Sequence, residues 1–215
     1  MLQFDSSVPD RVEDGATLIV LLHGRGSDKN DLMGIRRFLP PTAMVVTPRA
    51  PFPGGPWGYG PGWAWYRYLE RDRPEPESFG KSLDTLHSFL QELPDHLPVK
   101  PGSLVLGGFS QGGTMSLGYA LSNPGKVANV LNFSGFLPDH PAVPVTHDSV
   151  VGTRFFWGHG KADPAIPFEL AIIGREKLAG AEADLAAHDY EIGHWVDPSE
   201  LKDAVESLQT PEQLP

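Results

Sequence analysis

A hydroxyl, a carboxylate and an imidazole occur in this chain in an order that can build a nucleophile: Ser110, Asp163 and His194. A serine hydroxyl attacks poorly at neutral pH. It needs a base within hydrogen-bond reach, and that base needs a third group to orient it. Ser110 lies in Gly108-Phe109-Ser110-Gln111-Gly112, which fits Gly-x-Ser-x-Gly. The pentapeptide alone is a weak signal, because glycine and serine are common. Its surroundings sharpen it. Leu104-Val105-Leu106 before it reads as a buried strand, and Gly113 to Leu121 after it reads as a helix. Strand, sharp turn and helix make a nucleophile elbow, with the serine strained and its hydroxyl above the sheet. Gly108 and Gly112 then have a steric reason, since a side chain there would meet the neighbouring strand or helix. The competing reading is an ordinary glycine-rich turn.

Asp163 follows the strand-like run Arg154 to Trp157, within Gly158-His159-Gly160-Lys161-Ala162-Asp163-Pro164. There it can accept a hydrogen bond from an imidazole; a plain turn aspartate before proline is the alternative. Asp189 and Asp197 compete, but both lie too near the histidine in sequence to come from a separate strand. Eight histidines compete for the base role. His87 falls on a helix, and His96, His140 and His147 lie in proline-containing loops. His23 and His159 each precede a glycine at a strand end and read as turn formers. His188 lies inside the last strand. His194 alone stands beyond that strand, in the order serine, acid, histidine. The developing oxyanion needs two backbone N–H donors. Gln111 N–H, at the first turn of the elbow helix, has no helical acceptor and is favoured by the helix dipole. Arg25 N–H, in the glycine-bearing loop Leu21-Leu22-His23-Gly24-Arg25-Gly26, is the expected second donor.

These residues require a scaffold. Continuous apolar runs at Thr17 to Leu22, Ala43 to Thr47, Leu104 to Leu106, Val127 to Phe133, Arg154 to Trp157 and Ala183 to His188 read as strands. Phe79 to Leu93 carries Phe79, Leu83, Leu86, Leu90 and Leu93 on one helical face. Glu169 to Leu178 and Ser199 to Leu208 are further helices, the second started by Pro198. A helix near Asp31 to Phe38 is expected to take Asp28 and Asn30 as turn and cap residues. Such alternation predicts an α/β fold: one domain over 1–215, with a mostly parallel sheet and helices on both faces. From Pro48 to Gly62, ten of fifteen residues are proline or glycine, and seven aromatics lie in or just after that segment. So many rings argue for an ordered loop. The polar run Glu70 to Glu77 reads as solvated.

With 215 residues, 40% hydrophobic and 20% charged, the chain has the composition of one globular domain. A net charge of −10 argues against nucleic acid and anionic membrane surfaces. No stretch approaches the roughly 20 apolar residues of a membrane span. The first residues lack the pattern of a signal peptide, so the cytoplasm is the expected compartment. Without cysteine there are no disulfides, thiol nucleophiles or thiolate metal sites.

Leu22-His23-Gly24-Arg25-Gly26-Ser27-Asp28, Pro48-Arg49-Ala50-Pro51, Gly107 to Gly113, His159 to Pro164 and Gly193-His194 together resemble the phospholipase/carboxylesterase family of α/β-hydrolases. The resemblance runs from about residue 18 to 195. It implies a single-domain α/β-hydrolase fold without a large lid, with Ser110 as nucleophile, Asp163 as acid and His194 as base. Backbone donors at Arg25 and Gln111 are implied too. It also places Trp63, Trp65 and Tyr66 beside an acyl pocket. One departure stands out: acyl-protein thioesterases of this family usually have leucine where Arg25 stands. The expectation is a carboxylesterase for short- to medium-chain esters, a monomer or homodimer needing no metal or organic cofactor. A thioesterase or lysophospholipase with the same triad is the first rival. A catalytically inactive binding protein is the second.

Overall fold

The computed structural model of the chain describes residues 1–70 and 73–208; Arg71 and Asp72, inside the run expected to be solvated, lie outside the described residues. In chain order the strands are β1 (Phe4–Ser7), β2 (Thr17–Leu22) and β3 (Met44–Pro48). Two short pairs follow, β4 (Phe52–Pro53) with β5 (Trp63–Ala64), and β6 (Tyr68–Glu70) with β7 (Arg73–Pro74). Then come β8 (Ser103–Phe109), β9 (Asn129–Phe133), β10 (Arg154–Gly160) and β11 (Asp184–Tyr190). The helices are α1 (Pro76–Glu92), α2 (Gln111–Ser122), α3 (His147–Val150), α4 (Phe168–Gly180) and α5 (Pro198–Ser207).

Seven strands form one sheet in the order β1-β3-β2-β8-β9-β10-β11. All neighbours pair in parallel except β1, which runs antiparallel to β3. The apolar runs are continuous because both faces of the sheet are covered. Leu18, Val20, Leu22, Leu106 and Val130 point into one core with α1 and α2. The alternate residues Ile19, Leu21, Val105, Leu131 and Phe133 point into the other, against Leu32, Leu39, Leu201 and Ala204. The edge strand β11 exposes Asp184, His188 and Asp189, charged or polar groups that discourage further strand pairing.

Chain direction across the sheet reverses between β2 and β8. From β2 the chain steps outward to β3, and from β8 it steps the other way to β9, β10 and β11. Loops leaving the carboxyl ends of two such strands separate and open a crevice. The His23 loop leaves β2 there, and Ser110 follows β8.

Strands and long helices lie close to the expected spans. Differences have local causes. In α1 Phe89 is fully buried along with the expected Phe79, while Leu90 is only half-buried. Leu32–Phe38 is a 3₁₀ helix, and its N-cap Asp31 makes no side-chain capping bond. Asp28 is engaged elsewhere, in a fork with Arg49 whose Nε and Nη2 each donate at 2.7 Å. α5 has a capping box: Asp197 accepts from Ser199 N–H at 2.8 Å, and Glu200 reaches back to Asp197 N–H at 3.4 Å. Asp197 is therefore a cap. No helix among the described residues is long and apolar enough to cross a membrane.

Glu200 has a measurable consequence. Its side chain is fully buried, Oε1 has no hydrogen-bond partner, and burial pushes its carboxyl from 4.5 up to about 8. The folded protein then holds a proton that the unfolded chain has already lost. Stability from this group is present below about pH 4.5 and is lost as pH rises towards 8. Glu200→Gln keeps the acceptor for Asp197 N–H and removes the titration. Its melting temperature is expected to exceed the wild type's at pH 8.5 by clearly more than at pH 5. Calorimetry at the two values checks this, and an equal difference at both contradicts it.

Candidate active site

The elbow at Ser110 is made by close approach. Ser110 has φ 55° and ψ −116°, a left-handed conformation that a non-glycine residue adopts only when its surroundings force it. Its N–H donates to Phe133 O at 2.8 Å, and its carbonyl accepts from Thr114 N–H at 3.0 Å. A Cβ on Gly108 would overlap the Gly112 backbone and stand 2.6 Å from Leu22 O; one on Gly112 would overlap Leu22 O outright. Helix α2 can therefore start directly against β2 only with glycine at both positions. Ser110 itself is buried except for an opening at the hydroxyl.

Two loops deliver the other groups. The loops after β10 and β11 are tied edge to edge: Lys161 N–H donates to Tyr190 O at 2.9 Å and Ala162 N–H to Ile192 O at 3.0 Å. Gly160 is required at this contact, because a Cβ there would strike Ile192 and Gly193 carbonyls. As a result His194 Nδ1 lies 2.6 Å from Asp163 Oδ2, and His194 Nε2 lies 3.0 Å from Ser110 Oγ. The three side chains selected from sequence thus meet in one chain of hydrogen bonds. The Phe109 ring packs on the imidazole with centroids 4.6 Å apart.

Asp163 is held ionised. Burial alone raises its pKa, but the bonds from His194 and from Ile166 and Ala165 N–H more than offset this, and the net shift is downward. Both amides donate to Oδ1 at 2.8 Å, leaving Oδ2 for the imidazole. His159 sits beneath this carboxylate, fully buried, with Nε2 3.0 Å from Ile166 O. Burial lowers its pKa, so it stays neutral beside the carboxylate.

The other titratable rivals are occupied. His188 stacks on Phe156 and faces Asp203 at 3.5 Å. Asp189 pairs with Arg175. His23 is part of the loop's frame: Nδ1–H donates to Gly24 O at 2.7 Å, Nε2 accepts from Ala50 N–H at 3.0 Å, and burial lowers its pKa. That frame sets the path of residues 24–26. Arg25 N–H finds no acceptor among the described residues, and Gln111 N–H heads α2 without a carbonyl one turn back.

The expected pocket residues lie elsewhere. Trp65 and Tyr66 are fully buried, and neither they nor Trp63 line the cavity beside Ser110. Their backbone instead clamps the Gln111 side chain, whose Oε1 accepts from Trp65 N–H at 3.0 Å and whose Nε2 donates to Tyr66 O at 2.8 Å. Trp65 Nε1–H donates to His23 O at 3.0 Å. Trp63 carries the Arg49 guanidinium on its face and bonds Gly26 and Ser27 through its backbone. So Trp63, Trp65 and Tyr66 support the site from behind. The cavity, about 770 Å³, is walled by Trp57, Tyr59, Tyr68, Leu69 and Phe109, with Arg25 among them. Sequence reading missed Gln111's side chain and these walls. Ala64, Trp65 and Tyr66 are buried in succession, so no alternation in the sequence marks which rings face the cavity. Among the described residues no three side chains of metal-ligating type converge.

A strained serine on a strand-to-helix turn, bonded to an imidazole and a buried carboxylate at the switch point of a parallel sheet, defines a serine hydrolase of the α/β-hydrolase fold. The chain belongs to the phospholipase/carboxylesterase family, whose sequence profile matches residues 6–211. The acyl-protein thioesterase 1 of Debaryomyces hansenii is 34% identical over 150 residues, which are 66% of this chain and 64% of that protein. The chain thus spans less than two thirds of that relative's length. Acyl-protein thioesterase 1 of Kluyveromyces lactis is 25% identical over 217 residues, 94% of each chain. Of solved structures, esterase PE8 superposes with a TM-score of 0.80 at 28% identity, covering 96% of this chain and 97% of that one.

Proposed function

We propose that this protein is a carboxylesterase that hydrolyses short- to medium-chain carboxylic esters through an acyl-enzyme on Ser110. The observation that carries the reading is the bonded series Ser110 Oγ, His194 Nε2, Nδ1 and Asp163 Oδ2, opening on a cavity large enough for a small ester. His194 Nε2 takes the proton of Ser110 as Oγ attacks the ester carbonyl. Arg25 and Gln111 N–H groups donate to the oxyanion of the tetrahedral intermediate. Collapse breaks the carbon–oxygen bond, and the alcohol leaves with the proton held by His194. Water then attacks the acyl-enzyme by the same route, returning the proton to Ser110. Asp163 keeps Nδ1 protonated and stabilises the imidazolium.

A second reading, a thioesterase with the same machinery, is favoured by the names of the D. hansenii and K. lactis relatives. Against it stands Arg25, a cation in the wall of the cavity. Para-nitrophenyl esters from acetyl to palmitoyl, with matched oxygen and thioesters, test the choice. The first reading expects kcat/KM to peak between butyryl and octanoyl, with oxygen esters turned over at least as fast as thioesters. A maximum at palmitoyl with thioesters ahead contradicts it.

A further inference from the structure

The Arg25 side chain has no task in the chemistry above, which uses only its backbone. Its guanidinium lies 4.8 Å from the centre of the Tyr59 ring and 5.5 Å from that of Tyr68, inside the cavity that holds Ser110 and His194. The two rings are fixed relative to each other, since Tyr59 Oη accepts from Tyr68 N–H at 2.8 Å. Tyr68 is fixed in turn by Tyr66, their hydroxyls 3.2 Å apart. Stacking on ring faces holds a guanidinium without using its five N–H donors. Apart from the rings, Arg25 has no hydrogen-bond or ion-pair partner among the described residues.

Arg11, Arg36 and Arg37 also face no carboxylate among the described residues, but none of them lines the cavity. The remaining described arginines are paired. Arg49, Arg67, Arg73, Arg154 and Arg175 each face a carboxylate within 4.0 Å. Within the cavity lining, Arg67 is paired with Glu75 and Glu70 with Arg73, while Asp31 forms no ion pair with Arg25. A pre-positioned fork of donors in the lining of a reactive site, unpaired among the described residues, matches the geometry of a planar anion. In a chain of net charge −10, a distant anion is not drawn in by the overall field, so a local cation must do the selecting.

The geometry points to Arg25 as a carboxylate-recognition residue: the preferred substrates are esters that carry a free carboxylate. This rests on the ester-hydrolase reading. The carboxylate belongs either to the acyl part, as in a half-ester of a dicarboxylic acid, or to the alcohol part, as in an acylated hydroxy acid.

The test measures kcat/KM for two matched pairs. For the acyl side, the para-nitrophenyl half-ester of adipic acid is compared with its methyl ester. For the alcohol side, O-butyryl glycolate is compared with its methyl ester. Wild-type enzyme is expected to favour the free acid by about tenfold or more in one pair, as a charge-assisted bond would give. That ratio is expected to fall to one or below in Arg25→Met, to stay intermediate in Arg25→Lys, and to shrink with added salt. Ratios of one or less in both wild-type pairs, with the neutral esters still hydrolysed, overturn the carboxylate assignment alone. A preference that survives unchanged in Arg25→Met does the same. Failure to hydrolyse any of the four compounds overturns the ester-hydrolase reading with it.

Discussion

Asp163→Asn is expected to lower kcat/KM on a small ester by about 10⁴-fold, and His194→Ala by at least as much, with folding intact. The carboxylate Oδ2 takes a hydrogen bond only from a protonated Nδ1, which leaves the Nε2 lone pair for Ser110. An asparagine at 163 can present an N–H to Nδ1 and reverse that tautomer. Its Oδ1 can still accept from Ala165 and Ile166 N–H, so the loop keeps its shape. The loss should therefore fall on kcat more than on KM. His188→Ala is the control. His188 stacks on Phe156 at the edge strand, bonded to neither Ser110 nor Asp163, and its removal should retain most activity. Steady-state kinetics on the three variants decide the matter. Near-wild-type turnover by Asp163→Asn, or a larger loss in His188→Ala than in His194→Ala, contradicts the assignment.

Gln111→Ala should damage both stability and rate without touching a reacting group. The Gln111 amide satisfies Trp65 N–H and Tyr66 O, two backbone groups in fully buried residues. An unsatisfied buried polar group costs about 1–3 kcal/mol. Two such losses amount to about 2–6 kcal/mol, on the order of 5–20 °C in melting temperature for a chain of this size. The backbone N–H of residue 111 survives the substitution. Its direction does not, because the clamp that sets the start of α2 against the aromatic segment is gone. A fall of about tenfold or more in kcat is the expected companion, on the scale of a weakened oxyanion donor. Thermal melting and kinetics on the same preparation test both parts. Unchanged melting with unchanged kcat removes the clamp from the account.

How far the sequence could be read follows from what each residue type encodes. Thr17 to Leu22 announces a strand buried on both faces because five successive apolar side chains, Leu18 to Leu22, must leave water. Phe4–Ser7 announces nothing: Phe-Asp-Ser-Ser has no apolar run, and it becomes a strand because β3 offers it an edge. The same distinction separates the site's parts. Ser110, Asp163 and His194 were legible because strand order and loop position limit which groups can converge. Gly108 and Gly112 were legible because only a missing Cβ allows that turn. The aromatic segment was legible as ordered but not in its direction. Which rings face the cavity depends on how the chain from Trp63 to Tyr68 passes over Gln111. Trp65 and Tyr66 turn inward because the Gln111 amide holds their backbone there. Tyr59 and Tyr68 are left to line the opening with Arg25. Such long-range backbone bonds have no periodic signature.

The central claim is that Ser110 is a nucleophile activated by His194. Incubation with a fluorophosphonate, followed by intact mass and peptide mapping, measures this without knowledge of the natural substrate. One covalent adduct per chain is expected on Ser110, formed with loss of esterase activity, absent from Ser110→Ala and greatly slowed in His194→Ala. An unlabelled native protein, or an adduct that persists in Ser110→Ala, would contradict it.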